Sequence, residues 1–187
     1  MSIRPEITGK SITIEERIAD LERITSSIGQ FIKEDPYVDC YNKEYILKII
    51  ENTIEASKTP IYVYCLFIRT SDDLRREVGN EQMKIIESDI FTASEILLSN
   101  SHLVECGIYD KDTMIIVSGE DLGVVLKDLI IDVLSKDYVP LKGIYYSVGG
   151  TVTIPNDSLP AILARLEFAV KKTDTRSNQV IVLNAKT

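Results

Sequence analysis

Two carboxylates and an ammonium fall within three residues at Asp110-Lys111-Asp112. Groups of this kind at this spacing could grip a divalent cation, which takes carboxylate oxygens, or a phosphate, which takes the ammonium. The same triplet also makes an ordinary solvated turn, where Asp and Lys are common. Apolar runs flank it on both sides: residues 103–117 read Leu-Val-Glu-Cys-Gly-Ile-Tyr, the charged triplet, then Thr-Met-Ile-Ile-Val. That pattern predicts a β-hairpin with the triplet at its tip. Other chemistry-bearing residues are few. His102 is the only histidine, which argues against a histidine metal site and leaves any nucleophilic machinery one candidate base with no motif around it. Cys40, Cys65 and Cys106 are odd in number and lack a Cys-x-x-Cys spacing, so neither a disulfide framework nor a zinc site is expected. Cys65 lies in an apolar run and reads as a small core residue.

The 187 residues suffice for one domain with an appendage, and 44% hydrophobic with 27% charged residues is a globular composition. A net charge of −8 argues against a nucleic-acid groove, which needs a basic stripe, and equally against docking on an anionic membrane. No apolar run approaches the ~20 residues of a spanning helix, and the start, Met-Ser-Ile-Arg-Pro-Glu, has no signal-peptide core. A cytoplasmic protein is expected.

Thr13-Ile-Glu-Glu16 reads as a capping box opening a helix over residues 13–34. Ile14, Ile18, Leu21, Ile28 and Ile32 recur on it at alternating four- and three-residue steps, with Thr25 in the gap. This is a short heptad seam for a second copy of the chain, or a face packed on its own domain. Asp35-Pro36 ends the helix. An amphipathic helix follows over 43–57, with Ile46, Ile49, Ile50 and Ile54 on one face. Residues 61–68 have the β-branched and aromatic character of a buried central strand. A short helical turn over 72–78 closes at Gly79. A longer helix over 81–99 carries Met83, Ile86, Ile90, Ala93 and Leu97, and then comes the hairpin. A helix over 120–136 turns Leu122, Val125, Leu126, Leu129, Ile130 and Val133 inward. A strand spans 143–153, Ser158-Leu-Pro160 opens a last helix, and a strand closes the order at 180–183. The chain divides into a lead-in and helix, residues 1–34, and a domain, residues 35–187. Its fold class is α/β (α+β): a central, mostly antiparallel sheet flanked by helices.

Several short motifs resemble those of GGDEF domains, the catalytic domains of diguanylate cyclases. Asp35-Pro36 with Tyr41-Asn42 and Lys43, placed after a signalling helix, is similar to the family's opening Asp-Pro-Leu-Thr-Gly-Leu-x-Asn-Arg-Arg, with Tyr37-Val38-Asp39 in place of Leu-Thr-Gly. Ser147-Val148-Gly149 resembles a Val-Ser-Ile-Gly strand, and Arg176-Ser177-Asn178-Gln179-Val180 a closing Gly-Arg-Asn-x-Val turn. No motif is intact, but the weak matches keep their order and spacing over residues 35–184. The resemblance implies a nucleotidyl-cyclase-like palm. It also implies, for an active member, two divalent cations and two GTP molecules condensed into cyclic di-GMP across a dimer.

The residues that such chemistry needs are not where the resemblance expects them. With Gly79 aligned, the two strand-end aspartates that hold metal fall at Phe67 and Arg69; one is no ligand and the other repels a cation. The base-reading Asn and Asp fall at Arg75 and Lys84, which donate only and cannot accept from guanine. The signature Gly-Gly-Asp-Glu-Phe falls, within one residue, on Asp110, Lys111 and Asp112, where side chains replace the glycines that let backbone approach phosphate. The Arg-x-x-Asp product-inhibition motif has no counterpart in residues 99–104. The expectation is a non-catalytic domain with no metal or other cofactor, serving as a regulatory, dimerisation or protein-interaction module in bacterial signalling. Its partners would be a second copy of the chain, through the leading helix, and another protein. The alternative is a sensor that binds a nucleotide or small anion on a basic lining of Arg69, Arg75, Arg76 and Lys84, residues that read equally as an exposed helix face. An enzyme of different chemistry lacks any second acid–base–nucleophile cluster, and fold alone licenses none.

Overall fold

The sequence Tyr-Val-Tyr-Cys-Leu-Phe-Ile-Arg-Thr forms β1, Tyr62–Thr70, the middle strand of a five-stranded sheet. Its β-branched and aromatic content suits a strand covered on both faces. The structure is a computed structural model that describes residues 40–57, 59–100, 102–129, 143–154, 156–173 and 179–183, all within the unit Lys33–Thr187. The expected leading helix with its seam (Ile14, Ile18, Leu21, Ile28, Ile32) lies outside the described residues. So do Asp35-Pro36, Arg176-Ser177-Asn178 and the second half of the helix expected over 120–136.

The element order is α1 (Lys43–Ala56), β1, α2 (Asp72–Val78), α3 (Asn80–Ser99), β2 (Val104–Asp110), β3 (Thr113–Ser118), α4 (Gly123–Asp128), β4 (Ile144–Val152), α5 (Leu159–Lys171) and β5 (Gln179–Leu183). The strands lie in the order β2-β3-β1-β4-β5. β1 runs antiparallel to both β3 and β4, β2 and β3 form the hairpin, and β5 joins β4 in parallel. This is the mostly antiparallel, helix-flanked sheet that the sequence predicts. Side-chain oxygens open three of the helices by accepting orphan backbone donors. Asn42 accepts from Tyr45 N at 3.0 Å, Ser71 from Leu74 N at 3.3 Å, and Ser158 from Ala161 N at 3.4 Å.

Alternation along β1 feeds two cores. Tyr64, Leu66 and Ile68 pack with α2, α3 and α4 on one face, joined by Met114, Ile116, Tyr146 and Val148. Val63 and Cys65 pack with α1 and α5 on the other, joined by Ile115 and Val117. The inward stripe of α3 is rotated from the expected one. Met83, Glu87, Ile90, Phe91, Ser94 and Leu98 are buried, whereas Leu97 is exposed and Ile86 and Ala93 are half-buried. An apolar-only stripe misplaces this helix because a glutamate and a serine sit on its buried side, each with a hydrogen-bond partner.

Close packing fixes two glycines of β4. A Cβ at Gly149 would lie 2.9 Å from Leu166 O and Val170 N of α5, so the helix backbone rests directly on the strand. A Cβ at Gly150 would lie 2.6 Å from the Tyr64 ring. Tyr64 itself is fully buried, and its hydroxyl donates to Asp121 Oδ1 at 2.7 Å and accepts from Leu122 N at 2.8 Å. Asp121 Oδ1 also accepts from Gly123 N at 2.9 Å, so a core tyrosine and its partner satisfy the start of α4. Burial, then the Asp121 carboxylate, pushes the Tyr64 hydroxyl well above its ordinary range, keeping it a donor.

The connection from β4 to α5 is pinned by Arg165, whose Nη1 donates to Asp157 Oδ1 at 3.1 Å and Nη2 to Oδ2, while Nε donates to Thr151 Oγ1 at 2.9 Å. Burial alone would raise the Asp157 carboxyl, but the guanidinium's hydrogen bonds and charge hold it below the usual carboxylate range. A lowered folded-state value contributes stability above the unfolded value of about 3.9 and loses it as pH falls through the folded value.

Three outcomes follow for urea unfolding. Gly149→Ala should lower stability by roughly 1–3 kcal/mol through overpacking against α5. Gly119→Ala, where a Cβ meets nothing within 4 Å, should change it by no more than about 0.5 kcal/mol. Asp157→Asn should be less stable than wild type by about 1–2 kcal/mol at neutral pH. That difference should shrink towards zero as the pH is lowered below about 3.9; a gap that stays constant down to strong acid would contradict the linkage.

Candidate functional site

The charged triplet sits where β1 ends. Phe67 is paired with Thr113 on one side and Ser147 on the other, and Ile68 N donates to Asp112 O at 2.9 Å. The hairpin turn is tight: Asp110 pairs with Thr113, leaving Lys111 and Asp112 as the loop. A bulge between Ile108 and Asp110 re-aims the strand just before it. Asp110 and Lys111 are exposed. Asp110 Oδ1 accepts from Lys111 N at 2.8 Å and Asp112 Oδ1 from Thr113 Oγ1 at 3.0 Å. Both carboxylates are therefore engaged in shaping the turn, as Asp side chains do in solvated turns.

The structure does not bring Arg69, Arg75, Arg76 and Lys84 together into one lining. Strand alternation sends Arg69 to the α1/α5 face and Thr70 to the opposite one. Arg69 Nη2 donates to Val170 O and Thr173 Oγ1, both at 3.0 Å, at the C-terminal end of α5. Thr173 Oγ1 lies 2.9 Å from Ser147 Oγ, and the guanidinium carbon lies 5.5 Å from the Phe67 ring centre. A cation here meets the negative end of the α5 dipole. Arg69 Nη1 is buried with no hydrogen-bond partner among the described residues.

Across the sheet, Arg75 Nη2 donates to Glu87 Oε1 at 2.8 Å, and Thr70 Oγ1 donates to the same oxygen at 3.3 Å. Glu87 is 2% exposed. This triad ties the end of β1 to α2 and α3. Arg76 and Lys84 are exposed on those helices, 3.8 Å from Asp73 and 2.9 Å from Glu81 respectively. Sequence reading singled out Arg75 but missed Glu87 and Thr70. The available signal was a carboxylate falling four residues after Met83, on the buried side of an otherwise apolar stripe.

The resemblance of the sequence to the cyclase family implies, for an active member, two divalent cations at the end of β1, and the side chains of Phe67 and Arg69 there do not fit them. Phe67 and Arg69 occupy the strand end, and Asp112 lies in the adjoining turn, its backbone carbonyl accepting from Ile68 N; neither Phe67 nor Arg69 can ligate a cation. Among the described residues, no group of three or more His, Cys, Asp or Glu side chains is placed to hold a metal ion. His102 lies 3.7 Å from Glu120, away from these residues in the loops that join α3 to β2 and β3 to α4.

No protein-family model and no curated protein sequence matches the chain. Solved structures match it over most of its length. The diguanylate cyclase SiaD of Pseudomonas aeruginosa, in complex with its activator SiaC, superposes with a TM-score of 0.65 at 16% identity, covering 89% of this chain and 70% of that one. The coiled coil and GGDEF domain of DgcB from Caulobacter crescentus, in complex with c-di-GMP, gives 0.63 at 14% identity, covering 90% and 97%. The fold is that of a GGDEF domain. The GGDEF domain of FimX from P. aeruginosa matches equally well, with a TM-score of 0.66 at 10% identity over 81% of this chain and 99% of that one. Within this GGDEF fold, no helix among the described residues is long and apolar enough to cross a membrane.

The Glu87 triad makes a direct test of the site's construction. Arg75→Ala, which leaves a buried carboxylate without its cation, should lower stability by about 2–3 kcal/mol; Arg75 is partly exposed, which keeps the loss below that of a fully buried pair. Arg75→Leu combined with Glu87→Leu should recover most of that loss in urea unfolding.

Proposed function

We propose that this GGDEF-fold domain does not synthesise cyclic di-GMP and acts as a regulatory module that binds a protein partner and pairs with a second copy of the chain through its leading helix. The observation that carries the reading is Arg69. Where catalysis needs a metal-binding carboxylate, a guanidinium is tied instead to the end of α5. Neighbouring Phe67, Arg75 and Lys84 supply no metal or guanine acceptor either, and Arg75 is drawn onto Glu87. These substitutions remove cation binding and base reading separately, so no single change would restore the reaction.

The interaction role is supported by the fold's use elsewhere. SiaD is held in a complex with an activator protein, and the DgcB structure joins a coiled coil to its GGDEF domain. The heptad spacing of Ile14, Ile18, Leu21, Ile28 and Ile32 precedes the domain here in the same order. The nucleotide-sensor alternative has less support, since Arg69 and the α2 residue Arg75 lie on opposite sides of the sheet and each already has an acceptor.

Two measurements test the proposal. Purified protein incubated with GTP and Mg²⁺ or Mn²⁺ should yield no cyclic di-GMP by chromatography; product formation would overturn the non-catalytic reading. Light scattering should give a dimer mass for the full chain and a monomer mass for a protein starting at Lys33. Equal monomer masses would remove the helix-mediated pairing.

A further inference from the structure

Cys40 and Cys106 stand side by side at the place where the chain enters the domain. Tyr41 makes an isolated parallel bridge to Gly107 of edge strand β2, with Tyr41 N donating to Cys106 O at 3.0 Å and Ile108 N to Tyr41 O at 2.8 Å. That register sets Cys40 opposite Cys106. Adjacent strands run about 4.8 Å apart, inside the Cα separation of roughly 4.4–6.8 Å that a disulfide spans. Both side chains turn to the same core, the one lined by Leu66, Met114 and Ile116, and both are buried. The two thiols are close enough to act on one another electrostatically. Cys65 belongs to the other core, across the sheet, and cannot join them.

We propose that Cys40 and Cys106 are a reversible redox latch: oxidised by a low-molecular-weight disulfide, they bond to each other and tie the segment leading into the domain to β2. In the closed, reduced state the latch is protected, because burial pushes the Cys106 thiol well above its ordinary range and only the thiolate attacks. A bridge of one residue pair held by two backbone hydrogen bonds opens far more readily than a full ladder. Opening exposes Cys40, whose thiolate attacks the small disulfide, forming a mixed disulfide and releasing one thiol. Before the segment recloses, Cys106, uncovered by the same opening, loses its proton, and its thiolate displaces the second thiol. Two protein thiols are oxidised and one small disulfide is reduced to two thiols. The bond then fixes the Tyr41 bridge, and with it the point from which the N-terminal segment departs. A reducing compartment keeps the latch open to release; an oxidising shift closes it. The latch does not rest on the non-catalytic reading, and its test is independent of GTP.

The probe is oxidised glutathione, added to the full chain and followed by denaturation, alkylation and mass mapping of peptides. The expected result is loss of two of the three alkylatable cysteines, a chain lighter by two hydrogens before alkylation, and a single cross-linked peptide pair containing Cys40 and Cys106. Cys65→Ser should give the same cross-link. Cys106→Ser should instead accumulate one glutathione adduct on Cys40. Three alkylatable cysteines after treatment, a cross-link that includes Cys65, or a stable adduct on the wild-type chain would each overturn the proposal. If Cys106→Ser does not fold, the wild-type peptide map decides alone.

Discussion

From Tyr62 to Leu66, and again at Ile68, each side chain of β1 is committed to one of two cores, because the strand lies in the middle of the sheet with helices on both faces. Successive residues point to opposite sides, so no residue of β1 can change faces without moving the whole strand by one position. The Tyr64 ring fills the space that Gly150 leaves on β4 and its hydroxyl holds the start of α4. With that ring in place the register is set, and the strand's last residues follow from it. Phe67 and Arg69 go to the α5 side, Ile68 and Thr70 to the α3 side. The site at the end of the sheet is therefore shaped by a constraint that originates in its centre.

That constraint explains why four cations close in sequence do not make one basic surface. Arg69 and Thr70 are neighbours in the chain, yet Arg69 reaches the carbonyl end of α5 and Thr70 reaches Glu87 beneath α3. Arg75 follows Thr70 to the same carboxylate, while Arg76, one residue on, points to solvent. Glu87 is the hinge of this arrangement. A buried carboxylate must be paired, and its two donors come from the end of β1 and from α2. The ion pair thus welds three elements at a point where the hydrophobic cores thin out.

Much of the fold was legible because its signals are local and periodic. The uninterrupted apolar run of β1, the polar break at Asp110-Lys111-Asp112 and the capping residue Ser158 each mark their element without tertiary knowledge. The α3 stripe was misread by about one position because Glu87 and Ser94 are buried against expectation, and only the partners that bury them reveal it. At the site, residue types are legible in any conformation: Phe67 offers no metal ligand and Arg69 carries a positive charge. What they do instead was not legible. The Arg69 guanidinium meets Val170 and Thr173, about a hundred residues away in the chain, and no local pattern encodes a contact of that range.

The Arg69 contact also bears on how a GGDEF fold can carry such a residue at the end of β1. Carboxylates clustered there repel one another unless cations neutralise them, so an unmetallated acidic strand end is a source of strain rather than of stability. A guanidinium at Arg69 reverses the sign: it satisfies carbonyl and hydroxyl acceptors at the C-terminus of α5, where positive charge is favoured. An aspartate in the same place would face the negative end of that helix and leave Val170 O without this donor. The strand end is built as a structural junction, with α5 seated on Gly149 and clasped by Arg69. An acid at position 69 would oppose the packing that now holds α5 to the sheet.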